Sequence, residues 1–131
     1  MQFPTINLPQ MQTKSQIGKQ GEEIAVAYLR RNGFLIADTN WRNGRYEIDI
    51  VAQKHGMTHF VEVKTRSDSS LTSPEQALSK AKTDAMRRAA NAYLAQHRIV
   101  GEFEMDLVAI DLFPDGSSDV RFIRDVAESH W

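Results

Sequence analysis

Cysteine is absent from the 131 residues, which removes both a disulfide framework and a zinc–thiolate centre. Excess charge is lacking too: 16 Lys and Arg stand against 17 Asp and Glu, for a formal net charge of −1. Composition therefore supplies no broad basic field, the feature that drives most sequence-independent binding to nucleic acid. A DNA or RNA partner would have to be held by a local basic rim. No apolar run approaches the ~20 residues of a membrane-spanning helix, and the N-terminus lacks a signal-peptide core. The expected location is cytoplasmic, with no membrane partner. Internal repeats and low-complexity tracts are missing as well. What is present, 41% hydrophobic residues, suffices for one core. Residues 1–12, with two prolines and little periodicity, read as a flexible N-terminal leader, and residues 13–131 as a single domain.

The chain is organised around Tyr46 to Arg66, where Tyr-Glu-Ile-Asp-Ile-Val-Ala and His-Phe-Val-Glu-Val-Lys-Thr-Arg alternate polar and apolar residues. Period-two alternation in two arms around His55-Gly56 predicts a β-hairpin. Apolar matching sets Ile48 across from Val63 and Ile50 across from Val61, because a one-residue slip would put charges against valines. That register sets Asp49 opposite Glu62 and Glu47 opposite Lys64. One face then carries three carboxylates and one ammonium, with Val51 and Phe60 on the same side to make it a half-covered cleft wall.

Facing carboxylates repel, so an ordinary exposed sheet would pair opposite signs there. A hard divalent cation, Mg²⁺ or Mn²⁺, resolves the conflict, since it takes carboxylate oxygens and keeps waters for chemistry. Asp49, Glu62 and the Val63 carbonyl are the expected ligands, and Lys64 is expected to orient the attacking water. Asp, about a dozen residues, then Glu-x-Lys is the layout of a metal-dependent phosphodiesterase. The plainer reading is a charged outer face, with Glu47–Lys64 a cross-strand pair of ~0.2–1 kcal/mol.

Around this hairpin the periodicity predicts a helix from Lys14 to Asn32, capped by Thr13 with Gln16 and carrying a core stripe of Ile17, Gly21, Ile24, Ala25 and Tyr28. Glu22 flanks that stripe; it points into the cleft or pairs with Lys19. A strand from Phe34 through Trp41 follows, with Asn43-Gly44 as a tight turn. Arg42 and Arg45 flank the turn as candidate phosphate contacts, and Arg66 closes the motif strand. Ser73-Pro74-Glu75-Gln76 predicts the start of a second helix, running to Gln96 and burying Leu78, Ala81, Ala85, Ala89, Ala92 and Tyr93. Lys80 and Asp84 are positioned to pair, as are Asp84 and Arg88, which leaves Lys82 and Arg87 to meet a phosphate backbone. A strand over Glu104–Asp111 should lie parallel to the Val61 strand, and a short one over Asp119–Ile123 ends the order. Asp106, an acid inside an apolar run, is expected to support the sheet end or a basic partner.

Helix, three antiparallel strands, helix and two strands make an α/β chain with a mixed β-sheet flanked by helices, order α-β-β-β-α-β-β. With its hairpin motif it resembles the restriction-endonuclease-like fold, whose metal site follows Asp…Glu-x-Lys. More closely it is similar to the bacterial YraN family, through Gly18-x-x-Gly21-Glu22, Asn40-Trp41-Arg42, Glu47-Ile48-Asp49-Ile50, Phe60 to Arg66, Ala89-Ala90 with Tyr93-Leu94, and Asp106-Leu107-Val108-Ala109. The resemblance covers Ile17 to Ile110. It implies an endonuclease distantly similar to archaeal Holliday-junction resolvases, with Glu22, Asp49, Glu62 and Lys64 in the active site and Lys82 as the basic residue of the second helix. Two departures stand out: Tyr46 replaces a frequent Gly, and Glu104 replaces a frequent Arg, removing one positive charge from the rim.

The function expected is hydrolysis of phosphodiester bonds in DNA, branched or otherwise structured, with Mg²⁺ or Mn²⁺ as cofactor. Junction cutting needs two sites and so a homodimer, although no long apolar patch predicts one. The alternatives are a catalytically inactive nucleic-acid-binding module and a protein-interaction scaffold on the same fold.

Overall fold

The alternating arms do form strands, and the computed structural model, which describes residues 12–67 and 78–126, arranges them as one mixed sheet. The elements are α1 (Lys14–Arg31), β1 (Leu35–Asn43), β2 (Tyr46–Lys54), β3 (Met57–Arg66), α2 (Lys80–Gln96), β4 (Phe103–Leu112) and β5 (Ser118–Ile123). Strands sit side by side in chain order; β3 and β4 run parallel, and the other neighbours antiparallel. This is the α/β arrangement expected of a restriction-endonuclease-like chain. Of the expected leader, residues 1–11 lie outside the described residues.

Successive residues of β3 show how the layers stack. Val61 packs with Ala25 and Leu29 of α1, while Phe60, one position earlier, packs with Ala89, Ala90 and Tyr93 of α2. Neighbouring strand residues point to opposite faces, so the two helices cover opposite faces of the sheet. Both faces of β2 and β3 are buried, and each fully covered Ile, Val or Phe contributes about 1.5–3 kcal/mol. The α2 side is rich in rings: Trp41 and Phe60 both meet Tyr93 edge-on, with centroids 5.2 and 5.7 Å apart.

Local chemistry explains the element ends. Thr13 accepts from Gln16 N at 3.1 Å and its own N–H is taken by Gln16 Oε1 at 2.8 Å, the expected capping box. His55 and Gly56 both adopt positive φ (52° and 76°), so the β2–β3 turn is the two-residue primed type that matches strand twist. The β1–β2 turn lies one residue later than predicted. Asn43 pairs with Tyr46, so Gly44 and Arg45 form the loop, and only Gly44 takes positive φ.

Two expectations for α2 are corrected. Ser79 is extended (φ −79°, ψ 165°), and its hydroxyl accepts from Lys82 N, so α2 begins at Lys80, not at Ser73. Leu78 is 3% exposed beside Met86 and Met105, and this burial holds the chain extended before the cap. Residues 73–77 lie outside the described residues. The buried stripe is Thr83, Met86, Ala89, Ala90 and Tyr93, with Ala81 and Ala85 exposed. Facing Met86 to the sheet buries more apolar area than two alanine methyls would, and the Thr83 hydroxyl is satisfied by Lys80 O.

Candidate functional site

The β2–β3 ladder runs from the turn as far as Ile50↔Val61 and there stops. One residue earlier on β2, the Asp49 carboxylate accepts from the Val63 backbone N–H at 2.8 Å, taking the place of a ladder carbonyl. The pairing of Asp49 with Glu62, Ile48 with Val63 and Glu47 with Lys64 is therefore not formed. The strand on the other edge of β2 is irregular too. β1 slips register between Ile36 and Asp38, and Asn40, facing Asp49, adopts φ 52°. Ile48 packs in the α2 cluster and Ile50 in the α1 cluster, although two residues apart they would share a face of a regular strand. Glu47 turns outward and meets Arg42 of β1 at 3.9 Å. Distortions of this kind re-aim side chains beside functional sites.

The result is a gap in the sheet lined by oxygen. The N–H and C=O of one strand residue point to the same edge, so the Val63 carbonyl shares the Asp49 side of β3. Glu62 is 8% exposed and lies between two ammonium groups, Lys82 Nζ at 3.3 Å and Lys64 Nζ at 3.6 Å. Burial, together with the Glu62 charge, pushes the Asp49 carboxyl up to about 7, against the Val63 N–H bond, with Glu22 adding to the rise and Lys82 opposing it. Asp49, whose ionisation is disfavoured here, and Glu62 beside it offer hard oxygen donors where a cation would relieve repulsion.

Glu22 joins this group from α1. It is half-buried and lines, with Asp49 and Ile50, a cavity of about 530 Å³. Among the described residues it makes no ion pair, so the alternative pairing with Lys19 is not formed. Gly21 lets α1 come this close: a Cβ there would lie 1.8 Å from Thr65 Oγ1 of β3.

The basic residues divide. Lys82 and Lys64 belong to the site. Arg42 and Arg45 are exposed on the β1–β2 hairpin. Arg66 is drawn to Asp111 on β4, which also meets Arg121. Arg87 lines a different cavity with Glu104, Met105 and Asp125. Lys80 pairs with Asp84 as expected, whereas no Asp84–Arg88 pair is formed among the described residues.

A second charged cluster, around His59, went unrecognised in the sequence. His59 Nδ1 lies 2.7 Å from Asp106 Oδ2 and 3.4 Å from Glu104 Oε2. Glu104 takes two hydrogen bonds from Arg124, and Asp106 accepts from Asp125 N at 2.9 Å. These donor atoms lie within 4.8 Å of one another, a spacing that can hold a metal ion. Asp106 thus meets a basic partner, His59, and the backbone just after β5. Glu104 sits here, with His59 and Arg124, and not on the rim of the Asp49 site.

Burial, then the contact with Glu104, raises the Asp106 carboxyl to about 8, whereas burial lowers His59 below its usual value. Between its lowered value and 6.5, His59 makes stability rise with pH; the raised aspartates act oppositely up to their own values. Above 6.5 only the aspartates remain. Stability of the metal-free protein is therefore expected to fall by about 1–2 kcal/mol between pH 6.5 and 8. Urea midpoints in EDTA across that range test this; a rising midpoint would contradict the assignment.

Among the described residues no helix is long and apolar enough to cross a membrane. The profile of the Uncharacterised protein family UPF0102 matches residues 21–110. A UPF0102 protein of Bacteroides thetaiotaomicron is 41% identical over 100 residues, covering 76% of this chain and 83% of its own. One from Porphyromonas gingivalis is 39% identical over 100 residues, 76% of this chain and 74% of its own. One from Chloroherpeton thalassium is 33% identical over 123 residues, 88% of this chain and 95% of its own. Most of the fold, from Gly21 beside the acidic gap to Ile110 near the end of β4, is thus shared with them, and the chain belongs to the UPF0102 (YraN) family.

Proposed function

We propose that the chain is a divalent-metal-dependent phosphodiesterase acting on DNA. The observation that carries this reading is the early end of the β2–β3 ladder, where Asp49 takes the Val63 N–H and feels the charge of Glu62, itself held by Lys64 and Lys82. Asp49, Glu62 and the Val63 carbonyl would hold Mg²⁺ or Mn²⁺, an all-oxygen set suited to either. Bound there, the ion would polarise a phosphoryl oxygen and lower the pKa of a water.

The chain's own residues do the rest. Lys64 is partly exposed at 38% while anchored to Glu62, so its ammonium reaches the gap to orient a water and to stabilise charge growing on the phosphoryl oxygens. Lys82, on α2, meets the same Glu62 oxygen at 3.3 Å and holds that carboxylate in place. Glu22 extends the acidic wall beside Asp49 and would help to hold the same ion. Arg42 and Arg45 make a local basic rim for the phosphate backbone, which suits a chain whose net charge is −1. Cutting two strands of a branched duplex needs two such sites, and hence a homodimer.

The test is a cleavage screen over branched, flapped, duplex and single-stranded DNA with Mg²⁺ or Mn²⁺, on wild type and Lys64→Ala. Wild type should cut at least one substrate, and the variant about 100-fold more slowly or worse. Equal rates would exclude Lys64 from the chemistry. Salt-sensitive binding without cleavage under any divalent ion would favour the inactive binding module, and neither activity the scaffold.

A further inference from the structure

One cavity shares no residue with the Asp49 site and carries a different chemistry. It encloses about 470 Å³ beside the C-terminal turn of α1, the tip of the β2–β3 hairpin and the end of β5. Tyr28, Phe34 and Phe122 supply an aromatic wall, and Lys54 and Arg124 a cationic one. Its lining, all of described residues, contains no carboxylate.

The aromatic wall has room for one more flat group. Phe34 and Phe122 meet at 87° with centroids 5.7 Å apart, and Tyr28 and Phe122 at 62° and 6.3 Å. Tyr28 and Phe122 are only half-buried, so surface remains for a planar guest. The cationic wall also has capacity to spare. Lys54 Nζ donates to the neutral Asn32 carbonyl at 2.7 Å and lies 5.0 Å over the Phe34 ring. Among the described residues it makes no ion pair, and two of its three N–H donors stay open. Arg124 spends two of five donors on Glu104, with its side chain 62% exposed.

An anion beside a helix C-terminus would normally be repelled by the last carbonyls. Here Lys54 covers the Asn32 carbonyl, and the Asn32 side chain donates to Tyr28 O at 2.8 Å. Aromatic faces beside unspent cationic donors, in a cavity of ligand size, select a flat ring that carries an anion.

We propose that this cavity binds one nucleoside monophosphate unit, base against Phe122 and Tyr28 and phosphate between Lys54 and Arg124. The unit is either a free nucleotide or the phosphorylated end of a strand, since both present the same chemistry. No residue of the Asp49 site takes part, so the inference stands or falls apart from the nuclease reading.

The test is calorimetry with amide chemical-shift mapping, in EDTA, using dAMP, deoxyadenosine, inorganic phosphate and a 5′-phosphorylated tetranucleotide. Wild type should saturate with dAMP, moving the amides of Lys54, Phe122 and Arg124. Lys54→Gln and Lys54→Met, the latter keeping the stem over Phe34, should each weaken dAMP about tenfold, and Asp49→Asn should leave it unchanged. Deoxyadenosine and inorganic phosphate should each bind about tenfold more weakly than dAMP. A tetranucleotide tighter than dAMP identifies a strand end as the ligand, and a weaker one a free nucleotide. Failure of dAMP to saturate, equal affinity for bare phosphate, or indifference to both Lys54 variants in spectra that otherwise match wild type would overturn the proposal.

Discussion

Asp49→Asn is expected to lower metal-dependent cleavage about a thousand-fold and, in the same protein, to raise stability at pH 8 by about 1–3 kcal/mol. The substitution keeps the shape and leaves an amide oxygen that still accepts from the Val63 N–H, so the gap in the ladder persists. What disappears is a negative charge buried beside Glu62 and Glu22, which folding must otherwise tolerate. The unfolded carboxyl ionises near 3.8 and the folded one near 7. The native state therefore binds the extra proton across that window, and wild-type stability falls as pH rises through it. At pH 5 the folded carboxyl is protonated while the unfolded one is already ionised, so the variant's advantage should shrink to about two-fifths of its pH 8 size. Calorimetric melting in EDTA at pH 5 and pH 8 checks the stability half, and Mn²⁺ titration with a cleavage assay the functional half. Unchanged cleavage would remove Asp49 from the site; a variant less stable at pH 8 would mean that its charge is not strained. The expected opposition is the common one between stability and a site built for chemistry.

Gly21→Ala is expected to destabilise by about 2–3 kcal/mol, against the usual rule for a helix interior. Alanine in place of a mid-helix glycine ordinarily gains about 0.5–1 kcal/mol. Here the new Cβ would stand 1.8 Å from Thr65 Oγ1, 2.8 Å from its Cβ and 2.9 Å from its Cγ2. Rotating the hydroxyl away leaves the Cβ contact, so α1 or β3 must move. Steric cost exceeds propensity gain, and the movement carries Glu22 away from Asp49. Urea midpoints should show the loss. Adding Thr65→Gly to Gly21→Ala should recover part of it, whereas Thr65→Ala, which leaves the 2.8 Å contact, should recover less. A Gly21→Ala protein as stable as wild type would show that the two elements are free to separate.

The order of elements was legible because each was marked by short-range chemistry: the capping box at Thr13, the His55-Gly56 turn, the apolar match of Ile50 with Val61. The grouping of Asp49, Glu62 and Lys64 also followed from spacing, but its geometry did not. A period-two argument assumes an unbroken ladder, and this one ends at Ile50 with Val61, beside a β1 that slips register between Ile36 and Asp38 and carries Asn40 at positive φ. No pattern within β2 announces it. The α2 stripe was misread because alanines at helical spacing fit either face, and only the weight of Met86 against the sheet decides. His59 passed unnoticed for a related reason. Its partners Glu104, Asp106 and Arg124 are remote in the chain and meet it through the parallel pairing of β3 with β4 and the return of β5. Arg87 looked equivalent to Lys82, yet five positions along α2 turn and carry it to another cavity.

The parallel pairing of β3 with β4 has a consequence for the order in which the molecule comes together. It joins Thr58 to Phe103 and continues to Arg66 with Asp111, every rung closing a long loop, whereas β1, β2 and β3 are linked by two-residue turns. Short loops close early and long ones late. The meander can zip while Glu62 is still wet and Asp49 still faces solvent. Only when α2 folds over and β4 docks is Glu62 shut in between Lys64 and Lys82. The mutual repulsion of the two acids is thus expected to build up only late, as the long loop closes.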